Sequence, residues 1–350
     1  MNPVPFGLLL LVLAGAMNGS FTLPMKFTRA WAWENTWLAW TIFALGIFPP
    51  LLTIYTVPQL GDVYSQAGTA AILVPAACGA GWGISQVFFG LAVDAVGIAL
   101  AFSVILGTAA AVGSLIPLFD QHREEVFTSG GLLVLLGVAL VLAGVGVCAV
   151  AGRKREAALG LRGAAAQTGS EAAKPSVVKG LVFCLISGLG SALVNLGLNY
   201  GKPVSTAALK LGTDPLWAPN AVWLPLMCAG GVPNLLYCIY LMRKNRTGGK
   251  FGAGGTAHYW ILAALMAFFW FGSTVMYGVS TVKLGELGTV LAWPLFMSLI
   301  VITASIWGVV TGEWKNTGRQ PLAVQMSGVG VLVIAVFVLS AAGRILQEAR

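Results

Sequence analysis

Polar and aromatic side chains recur at helical spacing inside the apolar stretches of this chain. Asn195 and Asn199 are four residues apart, so a helix presents both on one face. Trp82 and Gln86 share the same spacing, and Trp270, Ser273, Thr274, Tyr277 and Ser280 follow one another within three turns. Asn18, Ser20 and Thr22 punctuate the first apolar run, Ser187 and Ser191 precede the paired asparagines, and Trp293 opens a later run. Amides and hydroxyls exchange hydrogen bonds with neutral hydroxylated molecules, and an indole face covers an apolar C–H face. This set of groups suits a sugar. It offers little to a cation, because no Asp or Glu falls near the centre of an apolar run; Glu34, Asp94, Glu286 and Glu313 stand at the ends.

Other chemistries find no support. The five cysteines (Cys78, Cys148, Cys184, Cys228 and Cys238) form no CxxC pair, and His258 stands apart from them, so they read as buried free thiols rather than metal ligands. No nucleotide loop or catalytic cluster occurs, so neither a cofactor nor an enzymatic activity is expected. A sensor is equally without a soluble domain to house it.

The elements that position these residues follow from composition. Of 350 residues, 57% are hydrophobic and 9% charged, whereas a soluble domain carries about 25% charged residues. Lipid is the solvent such a chain requires. Apolar runs of about 20 residues, the length a helix needs to cross the hydrocarbon, fall at 5–27, 35–57, 69–92, 96–118, 130–152, 177–200, 220–242, 258–281, 287–311 and 322–343. They lack the alternation of barrel strands, so the fold class is an all-α polytopic membrane protein with ten transmembrane helices.

Charge sets the expected orientation. The net charge of +8 is not a nucleic-acid patch, because 14 of the 20 Lys and Arg residues sit on the side reached after spans 1, 3, 5, 7 and 9. Cytoplasmic loops carry such an excess, which places both termini in the periplasm of a bacterial inner membrane. The first Lys is Lys26, so the first run reads as a retained helix rather than a cleaved signal. A polar segment at 153–176 is expected to be a cytoplasmic linker between a first five-helix half, 1–152, and a second, 177–350.

The halves echo one another. Trp82, Ser85, Val87, Phe89 and Gly90 of span 3 correspond in spacing to Trp270, Ser273, Val275, Tyr277 and Gly278 of span 8, and Gly97 corresponds to Gly285. Both segments are third of five. Because five is odd, the second half must enter the membrane upside down, giving a 5+5 inverted repeat. That architecture belongs to transporters, with a substrate site near the midplane. The substrate-binding residues expected are Asn18, Trp82, Gln86, Asn195, Asn199, Trp270, Tyr277 and Trp293. Lys26 and Glu34 are expected to pair at the cytoplasmic end of span 1 as coupling or gating residues. Any one serine or threonine here can instead bond its own helix, and Gly79 with Gly83 forms a GxxxG that reads as helix packing.

Several segments together resemble the L-rhamnose–proton symporter family of the drug/metabolite transporter superfamily. Pro24 and Lys26 close span 1 as in that family. Trp31-Ala32-Trp33-Glu34-Asn35-Thr36-Trp37 is similar to its Trp-Ser-Trp-Glu-Thr-Met-Trp. Trp82-Gly83-Ile84, Asn199, Lys202, Pro203, Leu211-Gly212-Thr213-Asp214-Pro215-Leu216, Asn234, Trp270, Tyr277 and Trp293 also match. Glu313-Trp314-Lys315-Asn316-Thr317-Gly318-Arg319 resembles its Glu-Trp-Asn-Asn-Ala-Gly-Arg. Two departures stand out: Ser85-Gln86-Val87-Phe88 replaces an Asn-Ile-Asn-Tyr run, and Thr289 replaces an acidic residue. The resemblance implies ten helices, sugar uptake and proton coupling. The expected function is therefore proton symport of a neutral sugar, L-rhamnose or a related deoxyhexose, by alternating access. The alternative is an uncoupled facilitator or exporter of another small polar metabolite, which the lack of a mid-membrane carboxylate favours.

Overall fold

The computed structural model describes residues 3–160 and 177–348, and every regular element among them is helical. In chain order the α-helices are α1 (Pro3–Ser20), α2 (Trp33–Thr41), α3 (Phe48–Thr56), α4 (Leu60–Ala67), α5 (Thr69–Val96), α6 (Ile98–Gln121) and α7 (Ser129–Ala158). They continue with α8 (Val177–Tyr200), α9 (Lys202–Lys210), α10 (Asn220–Asn245), α11 (His258–Lys283), α12 (Gly288–Val310) and α13 (Arg319–Glu348). Among the described residues, ten stretches are long and apolar enough to cross a bilayer, from Pro5–Phe27 to Arg319–Glu348, as hydropathy requires.

Three details go beyond the hydropathy reading. Helix α7 runs on through Ala158, so the first residues of the expected linker are helical; 161–176 lie outside the described residues. The sixth span is followed at once by α9, where Pro203 occupies the first turn and starts a new helix rather than extending the old one. The short helix α4 joins the second and third spans, entered through Gln59 with φ 55°.

The chain forms two compact units that draw on both sequence halves: Met1–Ile84 with Leu193–Glu286, and Ser85–Ala192 with Leu287–Arg350. In the first unit, α1 packs along α11, where Ser280 Oγ donates to Gly7 O at 2.8 Å. Helix α5 lies against α10 through the expected GxxxG: a Cβ on Gly79 would sit 1.9 Å from Leu226 O, and one on Gly83 2.3 Å from Gly230 O. Lipid offers no hydrophobic drive between helices, so this backbone approach supplies the packing instead.

In the second unit α7 and α13 mesh as an antiparallel seven-residue repeat. Leu346, Leu339 and Leu332 enter the gaps left by Gly130, Gly137 and Gly144, with an added Cβ meeting leucine carbons at 2.4, 2.5 and 2.8 Å. A repeat of seven keeps this seam aligned along a left-handed crossing.

Prolines interrupt several spans, and other side chains repair the damage. Pro49 cannot donate to Leu45 O, and Cys228 Sγ does so at 3.4 Å, next to a π-helical turn over Ile42–Ile47. Pro225 cannot donate to Ala221 O, and the Tyr64 hydroxyl does so at 3.0 Å. Burial, with a smaller effect from Cys228, pushes the Tyr64 phenol above its ordinary range, so it stays a donor. In the second unit Pro294 frees Val290 O, and Ser114 Oγ donates to it at 2.7 Å.

Replacing Gly79 with Ala drives a methyl into the α10 backbone and is expected to destabilise the protein by about 1–3 kcal/mol. Gly90→Ala, on the same helix with nothing within 4 Å of the new atom, is the matched control. Thermal unfolding in detergent is expected to show a clear drop for the first and none for the second.

Candidate functional site

The first unit gathers most of the predicted residues. Trp82 of α5 and Trp270 of α11 stack on each other, with ring centroids 5.4 Å apart and planes 20° from parallel. Small residues make room for this pair: a Cβ on Gly230 would lie 2.8 Å from Trp82 Cε3. Trp40 of α2 meets Trp270 edge-on at 5.2 Å and 80°. Face-to-face offset and edge-on arrangements are the favourable ones for aromatic quadrupoles.

A polar strip runs beside the indoles. Asn18 Nδ2 donates to Ser273 Oγ at 2.8 Å, and Ser273 Oγ donates to Trp270 O at 2.5 Å. Asn18 is half-buried, so its amide is not wholly occupied by protein. On the same face of α11, the Tyr277 hydroxyl donates to Asn195 Oδ1, and both side chains are fully buried. Asn199 follows one turn later on α8, also buried. These groups are neutral at any physiological pH. The arrangement can hydrogen-bond hydroxyls and cover an apolar ring face, and it carries no nucleophile or acid–base pair.

Two of the predicted residues lie outside the first unit. Gln86 and Trp293 belong to the second unit. Gln86 is half-buried on α5. Trp293 is buried, its Nε1 donates to Ala109 O at 2.7 Å, and its ring lies over Gly113, where a Cβ would sit 2.3 Å from Nε1. Its indole thus fastens α12 to α6.

Glu34 is the sole carboxylate in the buried set among the described residues, at 5% exposure in the first turn of α2. The carboxylate is held from the end of α10 and the loop beyond: Thr247 Oγ1 donates to Glu34 Oε1 at 2.7 Å and Asn245 Nδ2 at 3.1 Å. Asn35 strengthens the same join, donating to Thr247 O at 3.1 Å. Lys26, the expected partner, stands exposed in a 3-10 turn over Leu23–Phe27. Thr247 and Asn245, whose side chains donate to Glu34, are both neutral.

Sequence reasoning passed over Trp40, Asn245 and Thr247. Trp40 was legible in principle, since Trp33, Trp37 and Trp40 repeat at four and three residues and so share a helix face. Asn245 and Thr247 had no signal, because nothing in a polar loop announces which buried acid it will meet.

Comparison with known proteins now adds to this geometry. The family model described as L-rhamnose-proton symport protein (RhaT) matches residues 1–343. The chain belongs to this family. The L-rhamnose-proton symporters of Shigella flexneri, Salmonella paratyphi A (strain ATCC 9150 / SARB42) and Escherichia coli (strain SMS-3-5 / SECEC) are each 28% identical to it over 341 residues. Those alignments cover 95% of this chain and 96% of each relative. As a symport family, its members are transporters rather than enzymes.

Removing the Tyr277 hydroxyl deletes a buried hydrogen bond to Asn195 Oδ1, a loss of about 1 kcal/mol. Tyr277→Phe is expected to lower the unfolding temperature in detergent, while Tyr240→Phe, at an exposed tyrosine, leaves it unchanged.

Proposed function

We propose that this protein is a secondary active transporter that moves L-rhamnose or a related deoxyhexose together with protons by alternating access. The observation that carries the reading is the family match across residues 1–343. The uncharged cluster of Asn18, Ser273, Asn195 and Tyr277 beside the Trp82–Trp270 stack agrees with it. The substrate-binding residues are Asn18, Trp82, Gln86, Asn195, Asn199, Trp270, Tyr277 and Trp293. Hydroxyl groups of the sugar exchange hydrogen bonds with the amides, and indole faces cover its C–H surface.

The architecture belonging to this reading is a 5+5 inverted repeat of the drug/metabolite transporter superfamily, with halves 1–152 and 177–350 joined by a cytoplasmic linker at 153–176. Three observations support the repeat. Trp82 and Trp270 hold the same place in the sequence echo and touch, and residues related by a two-fold axis touch only beside that axis. Prolines recur at corresponding spans, Pro49 with Pro225 and Pro117 with Pro294. In the second unit α6 packs on α7 as α12 packs on α13. The excess of Lys and Arg on one side supports periplasmic termini in the inner membrane.

Coupling rests on Glu34, with Lys26 nearby in sequence. Ionised, Glu34 accepts from Thr247 and Asn245 and ties the start of α2 to the end of α10. A proton on the carboxylate removes the charge assistance from these bonds and loosens the tie. A carboxylate buried at the end of a membrane span is a natural place to look for a proton-responsive group. The second reading, uncoupled facilitation or export, is favoured by the position of Glu34 at a span end and the lack of another buried carboxylate among the described residues.

In proteoliposomes, labelled L-rhamnose is expected to enter faster when the outside is acidic than without a gradient. Equal rates would remove the symport claim and leave facilitation. Glu34→Gln is expected to abolish the response to the gradient while sugar exchange across the membrane continues.

A further inference from the structure

Trp33, Trp37 and Trp40 form a stripe along one face of α2, and the stripe ends at the Trp82–Trp270 pair. Trp33 and Trp37 stack at 5.2 Å and 17°, and Trp37 and Trp40 lie 4.5 Å apart at 33°. Trp40 then abuts Trp270 at 5.2 Å, and Trp270 stacks on Trp82 at 5.4 Å. Five indoles thus follow one another ring to ring within the first unit.

Exposure falls along this series. Trp33 is 44% exposed at the start of the helix, Trp37 is half-buried and Trp40 is 1% exposed. Polar groups accompany the rings. Trp37 Nε1 donates to Asn234 Oδ1 at 3.4 Å, and Asn234 Nδ2 donates to Gly230 O at 3.0 Å. Trp40 Nε1 is buried with no acceptor among the described residues. A buried donor without a partner is costly, and the rings around it (Trp37, Trp270 and Phe21) are poor acceptors.

We propose that this indole stripe is a binding track along which a neutral pyranose travels between the membrane surface at Trp33 and the Trp82–Trp270 pair. The proposal rests on the sugar-transport reading and adds residues that reading does not assign. Each aromatic face offers a negative quadrupole to the polarised C–H groups of a sugar ring. Because every face offers nearly the same contact, the sugar moves from one to the next without a deep trap. Trp40 Nε1 gives its hydroxyls a donor at the inner end. With Trp40 buried, the inner end of the track is closed in this structure. An interfacial tryptophan belt would also explain an exposed Trp33, but it does not require the stack to continue inward through a buried ring.

Trp33→Ala and Trp37→Ala in proteoliposomes test the track, with L-rhamnose as the probe and calorimetric binding in detergent measured in parallel. Loss of one face is expected to slow initial uptake by about two- to twelve-fold, with the dissociation constant moving less than about two-fold because the inner pair is intact. Trp37→Phe, which keeps an aromatic face, is expected to restore most of the rate and shows that the fold survives. Unchanged uptake in both alanine variants would overturn the track and leave an interfacial anchor. A matching loss of affinity would also overturn it, by making these residues part of the inner site. If wild-type protein neither binds nor transports the sugar, the substrate reading itself falls, a result separate from either.

Discussion

A membrane-spanning helix must satisfy each backbone carbonyl from within the protein, because hydrocarbon supplies no donor. This chain breaks that rule with prolines inside its spans, and the repairs decide where its indoles stand. Cys228 serves Leu45 O ahead of Pro49, Tyr64 serves Ala221 O ahead of Pro225, and Ser114 serves Val290 O ahead of Pro294. Each repair ties a proline-containing span to a neighbouring helix. Trp40 lies just before the π-helical turn that accompanies the first break, and Trp293 immediately precedes the proline of the third. These interruptions are held by specific donors, so the aromatic residues beside them are held as well.

The resulting interior separates two kinds of chemistry. The Trp82–Trp270 stack and its amides are uncharged and match a neutral, hydroxylated molecule with one apolar face. Glu34, the buried acid, sits apart at the start of α2 against Thr247 and Asn245. A neutral sugar carries no charge for a carboxylate to grip, and Glu34 takes no part in the Trp82–Trp270 pair. In the coupling proposed above, α2 is the link, since it carries both Glu34 and the edge-on Trp40.

Much of this was legible in the sequence, and the reasons are physical. Spans follow from length and apolarity, so the hydropathy reading located all ten. Packing glycines were legible where two sat one turn apart, as at Gly79 and Gly83. The wider Gly130, Gly137 and Gly144 series meshes with leucines far away in the sequence, on α13, which local spacing does not reveal. Helices α4 and α9 were missed because each is short and moderately polar. The pairing of Tyr277 with Asn195 joined two predicted residues, since both had to find partners in an apolar setting. The role of Trp293 as a fastener to Ala109 depends on a tertiary neighbour, and the partners of Glu34 lie at the end of α10 and just beyond it.

The central claim is that the mutually stacked indoles of Trp82 and Trp270 are one sugar-binding unit. Calorimetric titration of L-rhamnose into wild type, Trp82→Ala, Trp270→Ala and the double variant measures it directly. The account predicts a loss of about ten-fold or more for each single change, with little further loss in the double, as for groups acting together. Wild-type affinity in both single variants would contradict it.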